Sequence, residues 1–254
     1  METTARYKPK VEIADDPGRL ARQMVQLFVS AALDAIRSHG RFCVAVSGGQ
    51  TPKRFFELLA VTPKAKSLAW RRVHVFWADE RHVPPDSPHS NYKLAADTFL
   101  GRVDLPPGNV HRVPTEYEDI RVAARAYERT IREVFHLDDG EAPEFDLIVL
   151  GMGVDGHTAS LLPNSRIVFD ADNLVGAVYV PDGGFNRVTL TPAVLLAAKC
   201  VAVMVSGRDK ARTLKEVLTG EPDEARYPIH VLWPAMNKIV WLVDLDAASL
   251  MISD

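Results

Sequence analysis

The sequence predicts an α/β fold built as a mostly parallel sheet with helices on both faces. Short apolar runs alternate with amphipathic stretches along all 254 residues. The run Phe145–Leu150 has the apolar character of a central strand buried on both faces. Several runs also end directly in glycine-rich or polar turns, as strands do before a crossover helix.

The elements follow in order. Residues 17–39 place Leu20, Met24, Leu27, Phe28, Ala31 and Ile36 at helical spacing, and Gly40 closes that helix. Phe42–Val46 reads as a buried strand and Thr51–Ala60 as a helix, with Thr51 able to cap and Pro52 in its first turn. Arg72–Trp77 is β-branched and aromatic, hence a strand, running into Ala78-Asp79-Glu80-Arg81. Residues 84–90 form a Pro-, Asp- and Ser-rich loop before helices at Asn91–Leu100 and Tyr117–Phe135. After the central strand, His157–Leu162 is expected to start a helix, and Val175–Val180 and Arg187–Leu190 are strand candidates. A helix at Pro192–Ala198, a strand at Cys200–Val205, a helix at Arg208–Leu218 and a strand at Lys238–Val243 complete the alternation, before a short C-terminal helix. With no repeat or long linker, residues 1–254 parse as a single α/β domain.

Composition narrows the function. Hydrophobic residues at 47% and charged residues at 25% are those of a globular chain, and a net charge of -3 lacks the basic field of a nucleic-acid binder. No run approaches the roughly 20 apolar residues that span a bilayer, and the polar N-terminus lacks the apolar core of a signal peptide. Cys43 and Cys200 lie in apolar runs without metal-ligand spacing, and are expected as buried thiols on neighbouring strands. These features together predict a cytoplasmic protein with no membrane or nucleic-acid partner.

In open parallel sheets ligands bind outside the carboxyl ends of the strands, and four polar segments here follow strands directly. In Ser47-Gly48-Gly49-Gln50-Thr51, glycines before a helix suit a phosphate cradle with Ser47 and Thr51 as hydroxyl donors; an ordinary tight turn is the alternative. Asp79-Glu80-Arg81 offers a guanidinium for an anion and an acid for a sugar hydroxyl, or else a surface ion-pair cluster. In Gly151-Met-Gly-Val-Asp-Gly-His-Thr-Ala-Ser160, three glycines let Asp155 and His157 point at a common ligand as an oriented general base. The competing reading has Asp155 capping a helix and His157 as a structural histidine. Arg187 and Lys210, the latter in Ser206-Gly-Arg-Asp-Lys210, are cation candidates, with Lys210 the better placed for phosphate. The other histidines show no metal-ligand spacing; His82 is of interest only because it adjoins Arg81.

Taken together, these segments resemble the 6-phosphogluconolactonase family, within the wider glucosamine-6-phosphate isomerase/deaminase group. The resemblance rests on Ser47-Gly-Gly-Gln-Thr-Pro52, Asp79-Glu-Arg-His-Val-Pro84, Ser90-Asn-Tyr92 and the 151–160 loop. Arg187-Val-Thr-Leu-Thr191, Ser206-Gly-Arg-Asp-Lys210, Tyr227-Pro and Val240-Trp-Leu-Val-Asp244 follow in order. Two departures are visible. Leu161-Leu162-Pro163-Asn164 stands where the family has Leu-Phe-Pro-Gly, and asparagine at the glycine position is tolerable if the backbone there is left-handed. Leu162 also occupies the place where the deaminase branch carries a catalytic glutamate, which disfavours deamination.

The resemblance implies a Rossmann-like fold of the sugar-phosphate isomerase type. It implies hydrolysis of 6-phospho-D-glucono-1,5-lactone to 6-phosphogluconate in the oxidative pentose phosphate pathway, with no metal or organic cofactor. On that reading Ser47, Gly48, Gly49, Thr51, Arg187 and Lys210 hold the phosphate. His157 is the general base, Asp155 orients it, and Arg81 stabilises the oxyanion or anchors the sugar acid. The expected partner is a small sugar phosphate, bound by a monomer or weak homo-oligomer. A deaminase or isomerase and a non-catalytic sugar-phosphate sensor are the alternatives.

Overall fold

The computed structural model describes residues 9–181 and 183–252. The start of the N-terminal stretch read for a signal peptide, residues 1–8, lies outside them. The strands are β1 (Lys10–Ala14), β2 (Phe42–Val46), β3 (Val73–Trp77), β4 (Asp79–Arg81), β5 (Val110–His111), β6 (Leu147–Gly151), β7 (Val175–Val178), β8 (Arg187–Leu190), β9 (Val201–Val205) and β10 (Ile239–Asp244). The helices are α1 (Pro17–His39), α2 (Gln50–Val61), α3 (Pro63–Lys66), α4 (Asn91–Thr98), α5 (Ile120–Phe135), α6 (Pro192–Ala197), α7 (Ala211–Thr219) and α8 (Leu245–Ala248). None of the described helices is long and apolar enough to cross a membrane.

Seven strands form a parallel sheet in the order β1-β10-β9-β6-β2-β3-β5. Every residue of β2, β9 and β10 is buried, so both faces of the sheet are covered. The chain enters at the edge, crosses by α1 to β2 at the centre, and proceeds through β3 to β5. It then returns to β6 on the other side of β2 and runs outward through β9 and β10. The order therefore reverses between β2 and β6, a topological switch point. Long helices are well bounded: Asp16 caps α1 by accepting from the Arg19 N–H at 2.8 Å, and Gly40 ends it with a left-handed φ of 85°.

Sequence expectations fail in specific places. The candidates Arg187–Leu190 and Val175–Val180 do not join the parallel sheet; β8 and β7 pair antiparallel with β4 in a separate sheet ordered β4-β8-β7. Ala78 is the pivot, since its N–H bonds Val46 O in the main sheet and its carbonyl accepts from Leu190 N in the small one. The Tyr127 hydroxyl holds the preceding residue, accepting from Trp77 N and donating to Trp77 O, both at 2.8 Å. Residues 157–162 do not form a helix, because Ala159 takes a φ of 47° that reverses the chain into a Thr158–Leu161 bridge. Thr51 is not the cap of α2, which begins at Gln50 with Gly49 before it. The thiols do not sit on neighbouring strands either: β6 separates β2, which carries Cys43, from β9, and Cys200 is a half-buried residue just before β9. The strand β1 and the 3-10 segment Pro228–Lys238 were not anticipated. Asn164 does take the left-handed conformation under which asparagine is tolerable in place of glycine, at a φ of 58°.

At the β3–β5 edge, His74 Nδ1 and His111 Nε2 lie 3.0 Å apart with the rings stacked. Burial lowers both histidines, assisted at His74 by Arg41 and at His111 by His74, and His111 falls from 6.5 to about 4. The unfolded chain thus binds more protons than the folded one in this range. Stability is expected to be fully present above pH about 6.5 and to fall as pH drops toward about 4. Urea midpoints measured across that window should show the slope, and His111→Gln should flatten it.

Candidate active site

A cavity of about 230 Å³ lies at the carboxyl ends of β2 and β6. The turn after β2 supplies Ser47 through Pro52, and the end of β6 and its loop supply Gly151, Met152, Gly153, His157 and Ala159. The small sheet contributes Asp79, Arg81 and Arg187, α4 contributes Asn91, and β9 with the turn after it contributes Met204 and Lys210. The four polar segments expected at one rim therefore do converge there. Of the expected site residues only Asp155 is not in the wall; it stands behind His157.

The loop after β6 fixes the imidazole. Gly153 N donates to the His157 carbonyl at 2.9 Å, closing a tight ring of backbone. A side chain at Gly153 would collide with both the His157 ring and the Asp155 carboxylate. Asp155 Oδ1 accepts from His157 Nδ1 at 2.6 Å and from the His157 backbone N–H at 3.2 Å. The ring hydrogen bond is the main reason the Asp155 carboxyl lies below the usual carboxylate range, with burial opposing it. An ionised carboxylate only accepts, so Nδ1 carries the proton. In the neutral ring Nε2 is then a free base for the cavity that the imidazole lines.

The positively charged side of the cavity is set by the small sheet. In its register Arg81 lies directly opposite Arg187, and Asp79 opposite Thr189. Like charges opposed across two strands repel, so this pairing suits a bound anion. Arg81 Nη1 donates to His89 O at 2.8 Å, which aims the guanidinium. Lys210 follows a turn held by Asp244, which accepts from Ser206 Oγ and, at 3.1 Å, from Gly207 N. Burial strips water from the Lys210 ammonium and lowers its pKa, while Asp209 and Asp244 act in the opposite direction. Neither Arg187 nor Lys210 has a carboxylate ion-pair partner among the described residues.

Six buried side-chain polar atoms lack a hydrogen-bond partner among the described residues, and four belong to this wall: Ser47 Oγ, Arg81 Nε, Asn91 Oδ1 and Arg187 Nε. An unpaired buried polar atom costs about 1–3 kcal/mol. Their concentration on one surface marks it as shaped to bond a ligand.

The two acids of Asp79-Glu80-Arg81 part company. Alternation along β4 sends Glu80 to the opposite face, where it accepts from Asn91 N and Tyr92 N at 2.7 Å, Arg81 N at 2.8 Å and Ser90 Oγ at 3.0 Å. Burial raises the Glu80 pKa against these hydrogen bonds. Its role is to fasten the start of α4, not to touch a ligand. Asp79 remains in the wall, accepting from Ser160 Oγ at 2.7 Å. His82 turns away and bonds Tyr117 O at 2.8 Å. Asn91, read from the sequence as a helix start and as part of Ser90-Asn-Tyr92 but given no role in a site, is a polar residue of the wall. Among the described residues, no group of three or more His, Cys, Asp or Glu side chains could hold a metal ion.

Residues 15–241 match the family described as glucosamine-6-phosphate isomerases/6-phosphogluconolactonase. The chain is 38% identical over 242 residues to a 6-phosphogluconolactonase of Nostoc sp., covering 95% of this chain and 98% of that protein. It is 36% identical to a 6-phosphogluconolactonase of Synechocystis sp., covering 94% and 97%. Among solved structures, 6-phosphogluconolactonase from Trypanosoma cruzi superposes with a TM-score of 0.86 at 26% identity, covering 98% of each chain.

The contact at Gly153 gives a sharp test of how the imidazole is held. Gly153→Ala is expected to leave the thermal melt within a few degrees of wild type, because the change lies on the surface of the cavity. It should nevertheless abolish the hydrogen-bonded Nδ1 proton resonance of His157 in imidazole NMR spectra.

Proposed function

The chain belongs to the family of glucosamine-6-phosphate isomerases and 6-phosphogluconolactonases, and within it we propose that this protein hydrolyses 6-phospho-D-glucono-1,5-lactone to 6-phosphogluconate. The observation that carries the reading is one cavity holding a carboxylate-oriented imidazole beside three cations. A phosphorylated lactone needs both: an anchor for its dianion and a base for the attacking water. The relatives in both Nostoc and Synechocystis bear the lactonase name. Leu162, half-buried against the core, stands where a deaminase needs a proton-carrying glutamate. As an enzyme of sugar-phosphate metabolism with two free cysteines, the protein is assigned to the cytoplasm.

In the proposed mechanism the phosphate rests on the Ser47-Gly48-Gly49 turn and the first turn of α2, where Thr51 sits and the backbone N–H groups lack intrahelical acceptors. Arg187 and Lys210 neutralise it. His157 Nε2 takes a proton from water as the water oxygen attacks the lactone carbonyl. Asp155 stabilises the imidazolium that results, the part a triad carboxylate plays. Arg81 stabilises the negative charge developing on the carbonyl oxygen or anchors the sugar acid; its place opposite Arg187 supports an anion-facing role. The bond from carbonyl carbon to ring oxygen then breaks, and the imidazolium returns its proton to that oxygen. An activated ester needs no further group for this sequence.

Acid release from freshly made lactone, followed in a pH-stat as rate above spontaneous hydrolysis, tests the reading. Wild type should exceed buffer clearly, and His157→Ala should lose about 10²–10⁴ in kcat. A wild-type rate equal to buffer would remove the lactonase assignment. Ammonia release from glucosamine-6-phosphate would replace it with deamination. Arg187→Ala and Lys210→Ala should each raise KM by about 10- to 100-fold with a smaller effect on kcat, since each removes one charge-assisted hydrogen bond.

A further inference from the structure

Four polar groups of the cavity wall can donate to a ligand: the guanidinium groups of Arg81 and Arg187, the Lys210 ammonium and the Ser47 hydroxyl. Asn91 is the opposite case. It is 2% exposed and opens α4. Its backbone N–H is taken by Glu80 Oε1 at 2.7 Å, and its side-chain Nδ2 donates to Asp79 O at 2.9 Å. That second bond settles which way the carboxamide is turned, because a carbonyl can only accept. Oδ1 is therefore an acceptor, buried and without a donor among the described residues. It lies so close to the Gly48 α-carbon that a side chain there would overlap it.

A fully ionised phosphate has no hydrogen to offer such an atom. A sugar hydroxyl does. The Asp79 carboxylate shares the wall with one oxygen occupied by Ser160 Oγ, so acceptors cluster on this part of the cavity. We propose that Asn91 is a specificity-determining residue whose side-chain carbonyl accepts a hydrogen bond from a ring hydroxyl of the bound phosphosugar lactone. This rests on the lactonase reading and names the part of the substrate that the phosphate anchors do not read. A site that hydrogen-bonds a substrate hydroxyl rejects the analogue lacking it, because the buried acceptor is then left unpaired.

The test compares kcat/KM for 6-phospho-D-glucono-1,5-lactone with that for three counterparts, each lacking one ring hydroxyl, in wild type and Asn91→Ala. Wild type should lose about 10- to 100-fold on at least one counterpart. In Asn91→Ala that difference should shrink to under about threefold. Equal kcat/KM across the series in wild type overturns the proposal whether or not the variant folds, and so does full discrimination retained by Asn91→Ala. Inhibition by inorganic phosphate should be the same in both proteins. A variant that weakens or strengthens phosphate inhibition while still discriminating would reassign Oδ1 to a protonated phosphate oxygen. Failure of wild type to hydrolyse the parent lactone overturns the lactonase reading itself, and this inference with it.

Discussion

β2 and β6 lie side by side at the centre of the parallel sheet, and the chain leaves their carboxyl ends toward opposite edges. β2 passes to β3 and β5, while β6 passes to β9 and β10, so the connections diverge and leave a crevice between them. The turn at Ser47–Thr51 and the loop at Gly151–Ser160 face each other across it because they continue those two strands. A third wall is needed to close the crevice, and Ala78 provides it by bonding Val46 in one sheet and Leu190 in the other. The strand that leaves the main sheet there carries Asp79 and Arg81 to the cavity and Glu80 away from it.

The charges follow from that geometry. A register that sets Arg81 opposite Arg187 places two like charges across the strands, a repulsion that an anion between them would relieve. Glu80, buried on the other face, does not neutralise these guanidiniums, since its oxygens are occupied by Ser90, Arg81 and the start of α4. Asp155 is likewise committed to His157 and held out of the wall. The acidic groups near the site are thus tied into hydrogen bonds, an arrangement that leaves the positive charge of the wall uncompensated and turns Nδ1 of the imidazole, not Nε2, to the carboxylate.

Much of this was legible in the residues. The buried strands, the crossover helices and the meeting of four post-strand segments follow from hydrophobic patterning and the rule for parallel sheets, and Asn164 follows from backbone sterics. What was not legible depends on non-local pairing. Asp79-Glu80-Arg81 is too short and polar to announce a strand; it becomes one because β8 pairs with it, while the Tyr127 hydroxyl fastens Trp77 just before it. The helix expected from His157 fails because Ala159 adopts a left-handed conformation that local propensity disfavours. Asn91 looked like a helix start, and it is one. Its second role depends on Asp79 O and Gly48, both far away in sequence. The Cys43–Cys200 expectation failed because strand neighbours cannot be read from strand order along the chain.

A crystal structure with 6-phosphogluconate bound would test the site most directly. The phosphate should lie on the Ser47–Thr51 turn against Arg187 and Lys210, with the carboxylate carbon facing His157 Nε2 at about 3–3.5 Å. A product bound in the reverse sense, with its phosphate at His157, or bound outside this cavity, would contradict the assignment of base and anchor.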